Sequence, residues 1–228
     1  WITSGQTAGV FVLWARTGGK DLVGSRGVSA FLVEPGFKGF SVGRHENKMG
    51  LRGSSTTSLV LEDCEVPREN LLHAENRGFA LAMVALDGGR ISVASQAVGI
   101  ARAALDEAAA YARERRAFGR RIGDFQEIQW MIADSAVQLR AAEHLTMRAA
   151  WLKEQGRPYS VEASMAKVYA SEYANVICAR CFQIHGGYGY VKEFPIERHV
   201  RDVRVTTIYE GTSQVQKIVI SRSLVKSS

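Results

Sequence analysis

A carboxylate near the C-terminal end of the chain stands where proton abstraction could occur. Glu210 lies between an aromatic residue and a glycine within Ile208–Gln216. A helix beginning at Thr212 would place unpaired N–H groups and a positive dipole end beside it. Gly211 has no Cβ, so a ligand can approach closely, and a carboxylate beside such a gap can act as a general base. Local sequence alone favours a surface glutamate, so the upstream residues must decide.

Three upstream features could bind a ligand. Arg115 follows the end of a predicted helix, where its guanidinium suits a phosphate or is simply solvated. The glycine-rich run at 186–189 follows a helix, whereas a dinucleotide fingerprint follows a strand, so it indicates a packing turn or a close backbone approach. Asp87 and Arg90 flank a double glycine. They form either a self-satisfied i, i+3 pair or a bracket around a polar ligand.

Other chemistries find little support in the sequence. No nucleophile elbow is present, and the 5 His residues do not group with carboxylates at metal-ligand spacing, so no metal site is predicted. Cys178 and Cys181 form a C-x-x-C in a helical run without a second pair, which indicates core packing. Only 3 Cys suggest a reducing compartment. The net charge of +6 comes from residues interleaved with acids, which argues against nucleic acid. One basic cluster, at 113–121, suits an anionic small ligand or an acidic partner.

Two regions with different periodicity must position these groups. Residues 1–66 contain short apolar runs separated by Gly-rich turns, which predicts antiparallel strands. Residues 67–78 form a predicted linker, and residues 79–228 have helical apolar spacing. The predicted strands cover 10–15, 28–33, 39–44 and 57–62, and the predicted helices cover 78–111, 124–154, 160–184, 195–205 and 212–224.

Several local signals refine this reading. Asp124 with Glu127 three residues later indicates a helix start, and Gly88-Gly89 marks either a bend or a ligand contact. No apolar run of about 18 residues or more occurs, so no membrane span is predicted. The opening lacks Met and is apolar, which predicts a piece of a longer protein. The predicted fold is α+β, a truncated antiparallel β domain followed by an antiparallel α-helical bundle.

In combination, these stretches resemble the acyl-CoA dehydrogenase family, specifically its middle and C-terminal domains and its short-chain and branched-chain members. Each motif alone is weak, but their order along all 228 residues is specific. The motifs are Trp1-Ile2-Thr3, Lys48–Thr56, Leu86–Arg90, Arg115-x-x-Phe118-Gly119, Phe125-Gln126-x-x-Gln129, Ala163–Lys167, Gln183–Tyr190, Glu197-Arg198-x-x-Arg201-Asp202 and Ile208–Thr212.

The resemblance implies an FAD enzyme of fatty-acid β-oxidation that desaturates an acyl-CoA thioester between Cα and Cβ. In this interpretation Glu210 removes the α-proton while a hydride leaves Cβ for the flavin N5. The resemblance also implies two sets of binding residues. FAD would contact Trp1, Ile2, Thr3, Arg115, Phe118, Gln126, Gln183, Ile184, His185, Gly186, Gly187, Thr212, Ser213 and Gln214, and substrate would contact Asp87, Gly88, Gly89, Arg90 and Gly211.

The family further implies a homo-oligomer, a tetramer or dimer, that passes electrons to an electron-transfer flavoprotein. It implies the cytoplasm of a bacterium or the mitochondrial matrix of a eukaryote. Gln214 departs from the family pattern, which commonly has Glu there. Two alternatives stay open: the same fold with flavin monooxygenase or nitroalkane-oxidising chemistry, and a helical bundle that oligomerises without cofactor and is catalytically incompetent.

Overall fold

A computed structural model describes residues 1–225 of the chain. These residues form two compact units, Trp1–Ala85 and a second unit from Leu86 onward.

The first unit contains two antiparallel three-stranded sheets. One has the order β1-β5-β4 and the other the order β2-β3-β6. The core includes Ala30 and Val33, which have no exposed surface, and the ring of Phe11 lies 5.2 Å from that of Phe40. The strands are β1 Ile2–Thr3, β2 Phe11–Arg16, β3 Val28–Val33, β4 Phe40–His45, β5 Thr56–Leu61 and β6 Leu71–Leu72.

The four predicted strands are confirmed, three of them with a shift of one residue. The sequence missed β1 and β6, because two residues are too few to show alternation. The β6 strand lies inside 67–78 and pairs with β3, with Leu71 opposite Phe31. Asn70 strengthens this pairing by donating from its side-chain amide to the Leu32 carbonyl at 2.9 Å.

The second unit is an antiparallel α-helical bundle whose core consists largely of alanine. Small side chains allow helices to approach closely, and Ala94, Ala104, Ala149, Ala163 and Ala166 have no exposed surface. The helices are α1 Gly78–Glu114, α2 Gln126–Glu154, α3 Ser160–His185, α4 Ile196–Val203 and α5 Ser213–Val225. The first residues of α1 precede the boundary between the units. A short hairpin of β7 Arg116–Ala117 and β8 Arg120–Arg121 connects α1 to α2.

Two local expectations are corrected or decided by the structure. The α1 helix is continuous through Gly88-Gly89, so these glycines do not interrupt it. The predicted capping role of Asp124 is wrong. Asp124 lies in a 3₁₀ turn, Ile122–Asp124, and the N-cap of α2 is Phe125 without a side-chain capping bond.

By length and composition, α1 could also cross a bilayer. Its 37 residues include an 18-residue window with a mean hydropathy of 1.2, of which 22% is buried. The helix also supplies Ala94, Ala97, Ala101 and Ala104 to the helical core. Core helices of globular proteins meet the same criterion, so α1 is not a clear membrane span.

Candidate active site

The backbone at Glu210 adopts a conformation that is rare for a residue with a side chain. Glu210 has φ = 54° and Gly211 has φ = 89°, so two consecutive residues are left-handed. Such a conformation costs about 1–3 kcal/mol for a non-glycine residue and is maintained only where its surroundings impose it. The turn lies between Arg204–Thr207, a 3₁₀ helix, and the start of α5. The Glu210 side chain is therefore presented by a constrained turn and not by a regular helix.

The carboxylate of Glu210 lies directly against the backbone of α1 at Gly89. A Cβ placed at residue 89 would be 2.6 Å from Oε2 and 2.9 Å from Cδ of Glu210. Real Cβ atoms do not approach other atoms this closely, so the carboxylate occupies space that only glycine leaves open. The structure thus brings together two predicted site residues, Glu210 and Gly89, that are separated by most of the helical unit in sequence.

Two buried side chains are hydrogen-bonded to the backbone of the turn, and neither was assigned a role from the sequence. Lys167 of α3 donates from Nζ to the Gly211 carbonyl at 2.8 Å. Gln216 of α5 donates from Nε2 to the carbonyls of Gly211 at 2.9 Å and Glu210 at 3.2 Å. Both side chains have no exposed surface. Lys167 does stand inside one of the family motifs, which was the only signal for it in the sequence.

A fully buried lysine changes the pH dependence of stability. Burial lowers the pKa of Lys167 from 10.5 to about 8, with Arg90 acting in the same direction and Glu172 and Glu210 opposing it. Between these two pH values the unfolded chain holds a proton that the folded chain has lost. Stability therefore rises with pH across this window, because the cost of burying the charge disappears.

We expect Lys167→Met to remove this dependence. The free energy of unfolding of the wild-type protein should rise relative to that of the variant between pH 8 and pH 10.5, with a slope of at most about 1.4 kcal/mol per pH unit. Denaturant titrations of both proteins at several pH values measure the difference, in which all other titrating groups cancel. A difference that stays flat would mean that Lys167 keeps an ordinary lysine pKa when folded.

The Asp87–Arg90 pair ties α1 to α3. Arg90 donates from Nη1 to Asp87 at 2.6 Å and to Ser164 Oγ at 3.3 Å, and Ser160 donates to the same Asp87 oxygen at 2.9 Å. The Arg90 side chain is 6% exposed and that of Asp87 is 21% exposed. The i, i+3 pair is formed, and its guanidinium faces inward, so only the carboxylate reaches the surface to an appreciable extent.

Tyr209 anchors the other side of the turn. Its hydroxyl is hydrogen-bonded to Gln96 of α1. Burial raises the pKa of Tyr209, with the negative charge of Glu210 adding to the effect. The tyrosine is consequently a neutral hydrogen-bond donor throughout the physiological pH range.

A second group of predicted residues surrounds a cavity of about 480 Å³ elsewhere in the helical unit. Arg115 lies over the ring of Tyr188, with 5.0 Å between its Cζ and the ring centroid. The buried imidazole of His185 stacks on Tyr111 at 4.4 Å and is bonded through Nδ1 to the Cys181 carbonyl at 2.7 Å. The lining residues are Tyr111, Arg115, Ile122, Ile184, His185, Gly186, Gly187, Tyr188 and Val191.

Phe118 and Gln126 lie near this region of the chain but do not line the cavity. Phe118 stands at the tip of the β7–β8 hairpin with φ = 53° and is 94% exposed, at 6.2 Å from the ring of Phe125. Gln126 is the exposed first residue of α2, and Gln183 is exposed on α3. Phe118 is therefore not a core residue of the helical unit.

The remaining predicted residues occupy two other places. Trp1, 89% exposed, precedes β1, where Ile2 and Thr3 pair with Thr57 and Thr56 of β5. The start of α5 contains Thr212, Ser213 and Gln214; Thr212 Oγ1 accepts from the Val215 N–H at 3.4 Å, and Ser213 is 2% exposed. Among residues 1–225, Ser213 Oγ finds no hydrogen-bond partner.

Within residues 1–225 no metal site is found, and the C-x-x-C thiols are not suited to nucleophilic chemistry. No group of three or more His, Cys, Asp or Glu side chains in that range could hold a metal ion. Cys178 and Cys181 are free thiols without exposed surface. Burial raises the pKa of both, to about 12 for Cys181, and an unexposed protonated thiol is not a nucleophile.

Comparison with known proteins places this chain in a family. Residues 76–225 match the acyl-CoA dehydrogenase C-terminal domain and residues 1–64 match the acyl-CoA dehydrogenase middle domain. The short-chain specific acyl-CoA dehydrogenase of Clostridium acetobutylicum is 50% identical over 220 residues, covering 96% of this chain and 58% of that protein. A caffeyl-CoA reductase–Etf complex subunit of Acetobacterium woodii is 56% identical over 203 residues, covering 89% of this chain and 54% of that protein.

The fold comparison agrees with the sequence comparison. Butyryl-CoA dehydrogenase from Megasphaera elsdenii superposes with a TM-score of 0.96 at 44% identity, covering 98% of this chain and 58% of that chain. The chain belongs to the acyl-CoA dehydrogenase family. It spans a little over half the length of these relatives.

Proposed function

We propose that the protein of which this chain is part is an FAD-dependent acyl-CoA dehydrogenase that desaturates a short acyl-CoA thioester between Cα and Cβ. The observation that carries the proposal is the position of Glu210. This residue lies on a constrained left-handed turn, and its carboxylate packs against Gly89 of α1. In a member of this family, such a carboxylate is suited to accept the substrate's α-proton. FAD, when bound, supplies the acceptor for the hydride that leaves Cβ.

Residues of the helical unit fit a phosphate-containing cofactor. Arg115 is exposed at a cavity whose Gly186 and Gly187 have no atoms within 4 Å of where a Cβ would stand. A guanidinium with open backbone beside it can bind a pyrophosphate. The N-terminus of α5 offers unpaired N–H groups and a positive dipole end at Thr212 and Ser213. We assign FAD to these residues together with Ile184, His185 and Gln214.

The exposed residues of the predicted cofactor set suit contacts beyond their own unit. Phe118 and Trp1 are among the most exposed large apolar side chains of residues 1–225, and Gln126 and Gln183 are also exposed. Exposed aromatic residues next to polar groups are typical of ligand and subunit contacts. We infer that FAD reaches them, with Ile2 and Thr3, in a homo-oligomer, either a tetramer or a dimer.

For the substrate, we propose that the 86–90 segment and Gly211 line the thioester and CoA path. Asp87 keeps a partly exposed carboxylate, and Gly88 and Gly89 keep the helix surface free of side chains. Arg90 donates from Nη1 to Asp87 and Ser164 and its side chain is 6% exposed, so we assign it the role of fixing Asp87 within this path. Gly211 leaves the turn open beside the base.

Reduction of an enoyl-CoA, the reverse of desaturation, is a second candidate function, because one relative is part of a CoA-thioester reductase complex. The Acetobacterium woodii protein, 56% identical, is a subunit of a caffeyl-CoA reductase–Etf complex. In that direction Glu210 would donate its proton to Cα, as microscopic reversibility requires. We propose an electron-transfer flavoprotein as electron partner in either direction, and a location in a bacterial cytoplasm or a mitochondrial matrix.

The test is anaerobic reduction of the flavin in the full-length protein by acyl-CoA thioesters of increasing chain length. Bleaching by butyryl-CoA supports desaturation, and reoxidation of the reduced flavin by the corresponding enoyl-CoA measures the reverse direction. Bleaching by a nitroalkane, with no response to any thioester, would instead support the alternative flavin chemistry. A colourless protein that stays without cofactor in excess FAD would overturn the proposal.

Arg115→Ala should weaken FAD retention without unfolding the bundle. A charge-assisted hydrogen bond contributes about 1.5–3 kcal/mol, so the dissociation constant should rise roughly tenfold to a hundredfold. Fluorescence titration of the apoprotein with FAD gives the constant. The matched control is Arg113→Ala, which removes an equally exposed arginine two residues earlier. Equal affinities in the two variants would mean that Arg115 is only a solvated charge.

A further inference from the structure

Two polar side chains, Lys167 and Gln216, are fully buried beside the Glu210 turn. They have no exposed surface, yet both direct hydrogen-bond donors at the backbone of the 210–211 turn. The Gly211 carbonyl accepts from both, and the Glu210 carbonyl accepts from Gln216. Burying a charged or amide group costs several kcal/mol unless it is well bonded. Apolar side chains would fill this volume more cheaply.

The two carbonyls belong to the two left-handed residues. With φ at 54° for Glu210 and 89° for Gly211, relaxation towards an ordinary turn would rotate both peptide groups. Because each carbonyl is held by a donor fixed on a long helix, α3 or α5, such a rotation would break these bonds. The hydrogen bonds from Lys167 and Gln216 therefore keep the turn in its strained conformation and determine where the Glu210 side chain begins.

We propose that Lys167 is a positioning residue for the Glu210 base, holding the 210–211 turn through the hydrogen bond from its buried ammonium to the Gly211 carbonyl. Gln216 holds the same turn through a neutral donor. This inference rests on the proposed function for the identity of the base, but the anchoring of the turn does not depend on it.

The charges that face Lys167 come from three elements. Arg90 of α1 repels it, and Glu172 of α3 and Glu210 of the turn attract it. The two carboxylates therefore favour the protonated form of Lys167. Above pH 8 the loss of its proton removes this attraction, whereas the neutral amine can still donate to Gly211.

The experiment compares Lys167→Met and Gln216→Met in the full-length holoenzyme, with Lys217→Met, an exposed lysine of α5, as the control. Both buried variants should lower kcat with butyryl-CoA by about tenfold to a hundredfold, as expected for a base displaced by a fraction of an ångström to an ångström. KM and FAD content should stay within about twofold. Lys217→Met should match the wild type.

The pH profile separates a positioning role from a merely structural one. Lys167 loses its proton near pH 8, and a neutral donor forms a weaker hydrogen bond than a charged one, so kcat of the wild-type protein should fall across this pH. Lys167→Met has no titrating group there and should lack this fall, whereas Gln216→Met should keep it. Wild-type kcat and an unchanged pH profile in Lys167→Met would overturn the proposal.

Hydrogen exchange keeps the proposal testable if the proposed reaction fails or if Lys167→Met does not fold. Amides of Ile208–Ser213 should exchange roughly tenfold to a hundredfold faster in either buried variant. Lys167→Met removes one bond from a charged donor, and Gln216→Met removes two bonds from a neutral donor, which are of similar combined strength. This measurement needs no substrate. A wild-type protein that does not react with thioesters would contradict the proposed function alone. Unchanged amide exchange in Gln216→Met would contradict the proposed anchoring of the 210–211 turn.

Discussion

Glu210→Gln is expected to abolish the reduction of bound FAD by acyl-CoA while the protein keeps its fold and its cofactor. Glutamine has nearly the same volume and can occupy the same space against Gly89, but its amide cannot accept the α-proton. General-base catalysis contributes about 10²–10⁴-fold to a rate, so flavin bleaching in a stopped-flow experiment should slow by at least that factor. Substrate binding, measured by the perturbation of the flavin spectrum, should change little.

The matched control for this change is Glu75→Gln, an exposed glutamate of the first unit. It removes the same charge far along the chain and should bleach at the wild-type rate. If Glu210→Gln bleached nearly as fast as the wild type, another group would have to take the proton. The left-handed turn at 210–211 would then be a feature of packing alone.

Gly89→Ala should inactivate the enzyme by moving the base and not by unfolding the helix. The new Cβ would stand 2.6 Å from Oε2 of Glu210, and the flexible carboxylate end can swing away at small cost to the fold. A misplacement of about 1 Å can cost roughly 10²-fold in rate. Alanine is also the better helix former, by about 0.5–1 kcal/mol. The variant should therefore be slow in flavin reduction and at least as stable as the wild type.

Another glycine of α1 provides the control for this substitution. A Cβ at Gly99 would meet no atom within 4 Å, so Gly99→Ala should gain stability and keep full activity. If Gly89→Ala were as active as Gly99→Ala, the carboxylate would not need the position against α1.

The predictions for Glu210→Gln and Gly89→Ala test the two parts of one catalytic arrangement. Glu210 supplies the carboxylate, and Gly89 supplies the space that the carboxylate occupies. The turn sets where the side chain starts, and the glycine sets where its end can rest. Preorganisation of this kind avoids the cost of ordering a flexible glutamate during each turnover.

Much of the secondary structure could be predicted from the order of residue types. The short apolar run of Val28–Val33 predicts a strand, and the helical spacing of alanines in α1 reflects the helix period of about 3.6 residues. The strands β1 and β6 and the hairpin of β7 and β8 were missed, because two-residue strands are defined by their partners and have no period of their own. The α2 start was misassigned for a similar reason: a capping pattern was present, but the preceding residues form a 3₁₀ turn.

The sequence by itself determined the α+β organisation, the family resemblance and Glu210 as the candidate base, since these depend on residue types in a fixed order. Only the tertiary structure decided what surrounds that base. Gly89, Lys167 and Gln216 lie on three different helices. They meet at the turn because α3 packs against α5 and is hydrogen-bonded to α1. A lysine within an alanine-rich helix gives no local sign that its ammonium is buried against a carbonyl 44 residues away. Burial and partner are properties of the packing, and the chemistry of the site depends on both.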